Sequence, residues 1–140
     1  MVPEVHEINF DADAIRVFIH IIAMSVWVGG QIVVGGLVPL VRRQSPDALQ
    51  AIAKGFGRVG WPAFGIAVFT GIWNMVSVDS DTTSDGWSAV LGIKILLVVL
   101  TGLAAWLHQT TKRAAIRGAS AGIGLLLSLV VVMLGVLLSG

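Results

Sequence analysis

The sequence contains no cysteine and unusually few charged residues. Of its 140 residues, 12% are charged and 56% are hydrophobic, whereas a soluble domain carries roughly 25% charged residues. The lack of cysteine excludes disulfide bonds, thiolate zinc sites and cysteine-bound iron–sulfur clusters. The low charge excludes an ordinary soluble enzyme, a disordered tail and a nucleic-acid-binding protein with a broad basic face.

The hydrophobic residues are concentrated in four long runs, residues 17–41, 59–78, 87–108 and 118–140, which together hold one formal charge, Lys94. A membrane-spanning helix needs about 20 mainly apolar residues, and spanning strands would alternate in polarity. We therefore predict an all-α integral membrane four-helix bundle, with helices at about residues 14–41, 48–78, 87–111 and 114–139. Its short connections predict an up-down-up-down topology.

The charges flanking these runs predict how the chain lies in the bilayer. Residues 1–13 are acidic and are interpreted as an outer tail rather than a signal peptide, with Asp11 or Asp13 capping the first helix. Basic residues mark the cytoplasmic side, which would leave both termini outside. Seven of the nine basic residues lie in or near the connections on one side: Arg42, Arg43, Lys54, Arg58, Lys112, Arg113 and Arg117.

Two polar residues within the apolar runs are candidates for function, because polar groups at membrane depth are costly. His20 and Lys94 both lie before the middle of their helices, which run in the same direction, so we expect them to share one layer near the N-terminal side. Lys94 would snorkel, pair with Asp79 or Asp85, or contact a bound propionate.

Methionines add possible metal ligands near His20. Met24 follows it by one helical turn and projects from the same face, while Met75 and Met133 belong to the same half of the bundle. One imidazole with thioethers suits Cu(I). The alternative is that these methionines fill gaps in an apolar core.

The other histidines and the glycines have weaker interpretations. His108 is interpreted as an interfacial residue or a ligand at a separate inner site, and His6 as part of a solvated segment or a weak metal patch. Close helix packing or a homo-oligomer is predicted from glycines on the first and last helices: Gly29, Gly30, Gly35, Gly36, Gly118 and Gly122.

Several short motifs resemble those of CopD-like copper-resistance membrane proteins across roughly residues 14–112. They are His20 with residues 27–30 (WVGG), residues 56–58 (FGR), residues 70–73 (TGIW) and residues 91–98 around Lys94. The first-helix histidine and later lysine are also similar to those of HemJ-type protoporphyrinogen oxidases, which bind haem b.

Either resemblance implies that His20 is a metal or haem ligand and that Lys94 is its functional companion. Trp27 and Arg58 belong to the same motifs and are candidate cofactor contacts, although Arg58 also fits a plain anchor at the membrane boundary. Paired axial histidines within one chain are not available, because the apolar runs offer one histidine at each level.

Three hypotheses remain at this point, all for a protein of a bacterial or archaeal plasma membrane. The first is a copper-handling protein with His20 and Met24 as ligands. The second is a haem b protein, either an electron carrier or a haem-dependent oxidoreductase, with His20 as axial ligand. The third is a structural bundle whose polar residues only pack.

Overall fold

Four helices make up nearly all of the described chain. The structure is a computed structural model that describes residues 10–140. The helices are α1 (Ala12–Gln44), α2 (Ala48–Val76), α3 (Asp85–Thr110) and α4 (Ala114–Ser139), and each is long and apolar enough to span a membrane. No strand occurs within residues 10–140, and the predicted all-α membrane bundle is confirmed.

Local polar contacts determine where two of the helices begin. The Asp11 carboxylate accepts a hydrogen bond of 2.9 Å from the backbone N–H of Ala14. The Ser84 hydroxyl accepts one of 3.1 Å from the N–H of Trp87. Each side chain thereby satisfies one of the backbone donors that the first turn of a helix leaves unpaired.

A single π-helical turn, Ser25–Gly29, interrupts α1 near its middle. Such a turn holds one extra residue and is common at functional sites. Trp27 lies inside this turn and is 2% exposed. Many other residues of the same helix are exposed. The sequence carries no proline or other marker at this position that would have predicted the turn.

Contacts between helix ends determine their relative directions. The Arg16 guanidinium, at the start of α1, donates 2.8 Å to the hydroxyl of Ser77, just beyond the end of α2. The Trp87 indole, at the start of α3, donates 3.4 Å to the carbonyl of Leu138 at the end of α4. Each pair therefore runs antiparallel. We call the end of the bundle that holds these contacts the N-terminal side.

The four helices are arranged as two hairpins. α3 packs along α4 for most of its length, and α1 packs on α2, whereas α2 and α3 hardly touch. The hairpins meet through the π-helical turn against α4 and through a 2.9 Å hydrogen bond from the Trp61 indole to the Gln109 amide oxygen. A cleft is therefore left between them on the N-terminal side.

One glycine accounts for close packing between helices α1 and α2. A Cβ atom at Gly30 would collide with the ring of Phe56, which also stacks on Trp27 with ring centroids 6.5 Å apart. Close packing within the described chain is not found at the other glycines of the prediction, and a homo-oligomer through them stays a prediction. No other group of the described residues comes within 4 Å of a Cβ built at any of them: Gly29, Gly35, Gly36, Gly118 and Gly122.

Replacement of Gly30 by alanine is expected to lower the free energy of unfolding by roughly 1–3 kcal/mol, because Phe56 must move and disturb its contact with Trp27. The matched Gly35→Ala variant should be unchanged or more stable by up to about 1 kcal/mol, since alanine favours a helix. Unfolding by SDS in mixed micelles, followed by circular dichroism, measures both. Equal stability of the two variants would contradict this account of Gly30.

Candidate functional site

A cavity of about 350 Å³ lies between the two hairpins. Its walls are almost entirely apolar, and its volume falls in the range of small-ligand sites. Four residues that the sequence analysis selected as site residues line it, and Met75 lines it as well: His20, Met24, Trp27 and Lys94. The fold therefore brings together, in one space, residues from α1, α2 and α3 that are far apart in the sequence.

The His20 ring is held by a hydroxyl of the neighbouring helix. Its Nδ1 lies 2.8 Å from the Thr70 hydroxyl, which in turn donates 2.7 Å to the carbonyl of Ile66. A hydroxyl has one proton, so in the arrangement where Thr70 donates to Ile66 it accepts from His20, and the neutral ring then carries its proton on Nδ1. The Nε2 lone pair is then free to bind a ligand, as in many metal-binding histidines.

Two glycines leave room for the two polar side chains of the cavity. A Cβ at Gly71 would lie 3.4 Å from Cε1 of His20, and one at Gly135 would lie 3.2 Å from Nζ of Lys94. The imidazole therefore rests against α2 and the ammonium against α4. Thr70 and Gly71 act together, because one residue bonds the ring and the next makes space for it.

Lys94 lines the cavity without a polar partner. Among residues 10–140 it makes no ion pair, and the predicted pairing with Asp79 or Asp85 is not formed. Its ammonium also forms no hydrogen bond with any other residue of this described range. An unpaired cation within an apolar bundle lowers the stability of the fold. Packing alone therefore does not explain why a lysine occupies position 94.

The methionines divide into two groups. Met24 lies one turn after His20 on α1, and Met75 lies one turn after Gly71 on α2, and both line the cavity together with His20. Met133 does not join them, since it is 60% exposed on the surface of α4 and does not line the cavity. The expectation that all three methionines surround one site is thus wrong for Met133.

The described chain has no cluster of the side chains that most often bind metal ions. Within residues 10–140, no group of three or more His, Cys, Asp or Glu side chains is placed to hold a metal ion. The donors available beside His20 are therefore thioethers. This composition differs from the carboxylate and imidazole sets that bind zinc, calcium or magnesium.

Trp27 closes the end of the cavity that is farther from the N-terminal side. Its ring centroid lies 4.6 Å from that of Phe64 and 5.6 Å from that of Trp61, and Phe64 also lines the cavity. Aromatic rings at these distances pack favourably. The candidate contact Trp27 is thus both a cavity wall and the centre of an aromatic cluster.

The remaining candidate residues lie apart from the cavity. Arg58 is exposed and does not line it, which agrees better with a boundary anchor than with a cofactor contact. The His108 ring bonds the Arg117 carbonyl over 2.9 Å and borders a separate apolar pocket of about 80 Å³. His6 lies outside the described residues.

Arg16, near the start of α1, was missed by the sequence analysis, although its side chain is buried and paired. It is 8% exposed, forms a 2.7 Å ion pair with Asp13, and donates to Asn74 and Ser77. Its guanidinium also lies 5.8 Å from the centre of the Trp73 ring. Its spacings, three residues after Asp13 and four before His20, were the available signal.

Three hydroxyl residues of the site were also missed as individual candidates. Thr70 was noted only as part of a motif, and Thr101 and Ser128 not at all, yet both of the latter line the cavity and are at most 3% exposed. The spacing of seven residues between Lys94 and Thr101 places them on one face of α3 and could have indicated Thr101.

Scans of protein-family models, of curated proteins and of solved structures found no match to this chain. The site must therefore be interpreted from its own residues.

Lys94 and Arg16 give opposite expectations for stability. Replacing the unpaired Lys94 by methionine should raise the free energy of unfolding by roughly 1–2 kcal/mol, because functional sites often retain destabilising groups. Arg16→Met should lower it by roughly 1–3 kcal/mol, because Asp13 and two polar groups lose their partner. The exposed Lys54→Met serves as the control with little change. SDS unfolding measures all three, and a destabilised Lys94→Met would contradict this account.

Proposed function

We propose that the protein handles copper in the membrane, with Cu(I) as its cargo and His20, Met24 and Met75 as its ligands. The observation that carries the proposal is the position of one imidazole and two thioethers on the α1–α2 wall of a single cavity. The resemblance of residues 27–30 and 70–73 to motifs of copper-resistance proteins supports the same proposal.

The donor set matches the chemistry of Cu(I). Thioether sulfur and neutral imidazole are soft or borderline ligands, which favour Cu(I) over magnesium, calcium or manganese. In the tautomer whose Nδ1 donates to Thr70, the Nε2 of His20 is unprotonated and binds a cation without first releasing a proton. Met24 and Met75 have flexible side chains that adapt to the coordination geometry.

Lys94 belongs to the hairpin opposite the proposed copper ligands. A second cation close to Cu(I) would repel it. The ammonium lies against Gly135 of α4, whereas the His20 ring lies against Gly71 of α2. The cation and the proposed ligands therefore belong to different hairpins, and the cavity lies between them.

Anaerobic titration of the purified protein with Cu(I), in competition with a chromophoric chelator, tests the ligand set. We expect about one tightly bound ion per chain, a loss of affinity of about a hundredfold in His20→Ala and about tenfold in Met24→Leu or Met75→Leu. Met133→Leu is the matched control and should bind like the wild type, because Met133 faces outward. Equal affinity of all four variants would refute the proposed ligands.

The same titration includes the residue that orients the imidazole. Thr70→Val removes the hydroxyl at nearly constant shape and should weaken Cu(I) binding by about 10–100-fold, as loss of such supporting groups does elsewhere. Thr70→Ser retains the hydroxyl and should restore most of the affinity. A Thr70→Val variant with wild-type affinity would show that His20 does not need this contact.

Haem b is the second candidate, favoured by the apolar walls of the cavity around His20. His20 would be the axial ligand, Lys94 would face the haem propionate carboxylates, and haem would supply the redox chemistry of an electron carrier or oxidoreductase.

A Soret band that is lost in His20→Ala but unchanged in Met24→Leu would favour haem over copper. If neither copper nor haem binds, the structural-bundle hypothesis stands instead.

We also propose that the N-terminal side of the bundle faces outward, so that the cavity opens in the extracytoplasmic half of the membrane. Exposed arginines and lysines lie in the last turn of α1, in the first turns of α2 and between α3 and α4, all at the opposite side, and such residues mark the cytoplasm. Because the chain lacks cysteine, single cysteines are unambiguous labels. In intact cells Ser139→Cys should react with a membrane-impermeant maleimide and Arg113→Cys should not, and the reverse pattern would invert the topology.

A further inference from the structure

One charged group of the cavity is accessible and has no partner in the described chain. Lys94 lines the cavity, and its ammonium makes neither a hydrogen bond nor an ion pair with any other residue of 10–140. The fully buried side-chain groups that lack a partner within that range are the Trp27 indole N–H and the Thr101 hydroxyl. The Lys94 ammonium is not one of them, so it retains surface that a ligand atom can reach.

The ammonium lies inside the bundle and not at its end. Ala104 of α3 lies opposite Gly124 of α4, where an added Cβ would be 3.4 Å from the Cβ of Ala104. Lys94 is ten residues before Ala104. Gly135, whose Cβ would lie 3.2 Å from Nζ of Lys94, is eleven residues after Gly124. The lysine side chain therefore crosses to α4 at about the level of its own backbone, nine residues or roughly 14 Å from the start of α3.

Apolar side chains extend along the cavity from the level of Lys94. On α3 the lining residues continue to Val98, and on α2 they run from Met75 to Phe64. Phe64 and Met75 are eleven residues apart, or roughly 16 Å along the bundle. None of the described residues that line this space is acidic. The cavity thus combines one positive charge with long walls that suit a hydrocarbon chain.

The cavity is open to the side, toward the lipid. Ile72 of α2 and Ile95 and Val99 of α3 line it, yet they are 53%, 46% and 54% exposed. These residues flank the gap where α2 and α3 hardly touch. An amphiphile dissolved in the bilayer can therefore enter between the two hairpins, and part of its chain can remain in the lipid.

The charge, depth and volume of the cavity favour one class of amphiphile. An ammonium within apolar surroundings is stabilised by an anion. The phosphodiester of a phospholipid stays charged, and charge is costly in hydrocarbon. A carboxylic acid instead becomes neutral there by keeping its proton, so it can reach the level of Lys94 and pair with it. A volume of about 350 Å³ suits one hydrocarbon chain better than the two chains and glycerol of a phospholipid.

We propose that the cavity binds a fatty acid from the membrane, with its carboxylate on Lys94 and its chain along the apolar walls. The acid enters through the gap between α2 and α3. This ligand goes beyond the proposed copper function and does not depend on it, because Cu(I) is assigned to His20, Met24 and Met75. The bound carboxylate supplies the partner that the described chain does not give to Lys94, which accounts for a lysine at this position.

Binding of radiolabelled laurate to the metal-free protein in micelles of a neutral detergent tests the inference. The wild type should bind about one molecule per chain above the level of empty micelles. Lys94→Met should weaken binding by about 10–100-fold, because the carboxylate loses its charged partner. The matched control Lys54→Met removes an exposed lysine of α2 and should bind like the wild type. Misfolding does not obscure the result, since Lys94→Met is expected to be the more stable protein.

Two further comparisons test the charge and the entrance separately. Dodecanol has the chain of laurate without its charge, so it should compete weakly and should bind the wild type and Lys94→Met equally. Val99→Trp narrows the gap between α2 and α3 and should weaken laurate binding by about tenfold. Its control, Ile93→Trp, changes a residue of α3 that is also exposed but does not line the cavity, and it should bind like the wild type.

Several results would overturn the inference. They are absent binding by the wild type, equal binding by Lys94→Met and Lys54→Met, and competition by dodecanol as strong as that by palmitate. Competition by phosphatidylglycerol but not by palmitate would assign the cavity to a phospholipid instead, and a purified protein that carries haem and binds no laurate would assign it to haem. Copper is judged separately, because Lys94→Met should bind Cu(I) at least as tightly as the wild type, while His20→Ala should lose Cu(I) and still bind laurate.

Discussion

The hydrogen bond between His20 and Thr70 is the interaction on which the rest of the site depends. It joins α1 to α2 within an apolar environment where water cannot replace either partner. With Nδ1 engaged by Thr70, Nε2 is the ring nitrogen left for the cavity. The adjacent Gly71 gives the ring the space to lie against α2. One contact thereby positions and orients the His20 ring.

The polar groups within the bundle differ in whether the protein supplies their partners. Arg16 is surrounded by a carboxylate, an amide and a hydroxyl, and it ties the ends of α1 and α2 together. The Trp27 indole N–H and the Thr101 hydroxyl are instead buried with no partner in the described chain, and Lys94 lines the cavity unpaired. The first arrangement stabilises a fold. The second opposes folding.

The separation of the hairpins explains why such a cavity exists in so small a protein. Small residues let α3 and α4 pack closely, as at Gly124, where a Cβ would lie 3.4 Å from the Cβ of Ala104. The aromatic cluster of Trp27, Trp61 and Phe64 lies where the two hairpins meet, on the side farther from the N-terminus. The hairpins separate from each other toward the N-terminal side. The π-helical turn of α1 supplies the change of register that buries Trp27 within this cluster. Packing at one end therefore creates open volume at the other.

The sequence by itself determined the fold class, because apolar runs of this length have no folded alternative to membrane-spanning helices. It also indicated His20, Met24 and Lys94, since charge and polarity stand out against hydrocarbon-compatible neighbours and helical spacing relates them. Only the tertiary structure decided that Met75 joins this set while Met133 and Arg58 do not, because the rotation of each helix about its axis follows from packing. The partner of His20 and the unpaired state of Trp27 and Thr101 likewise depend on contacts between residues far apart in the chain, which no local pattern encodes.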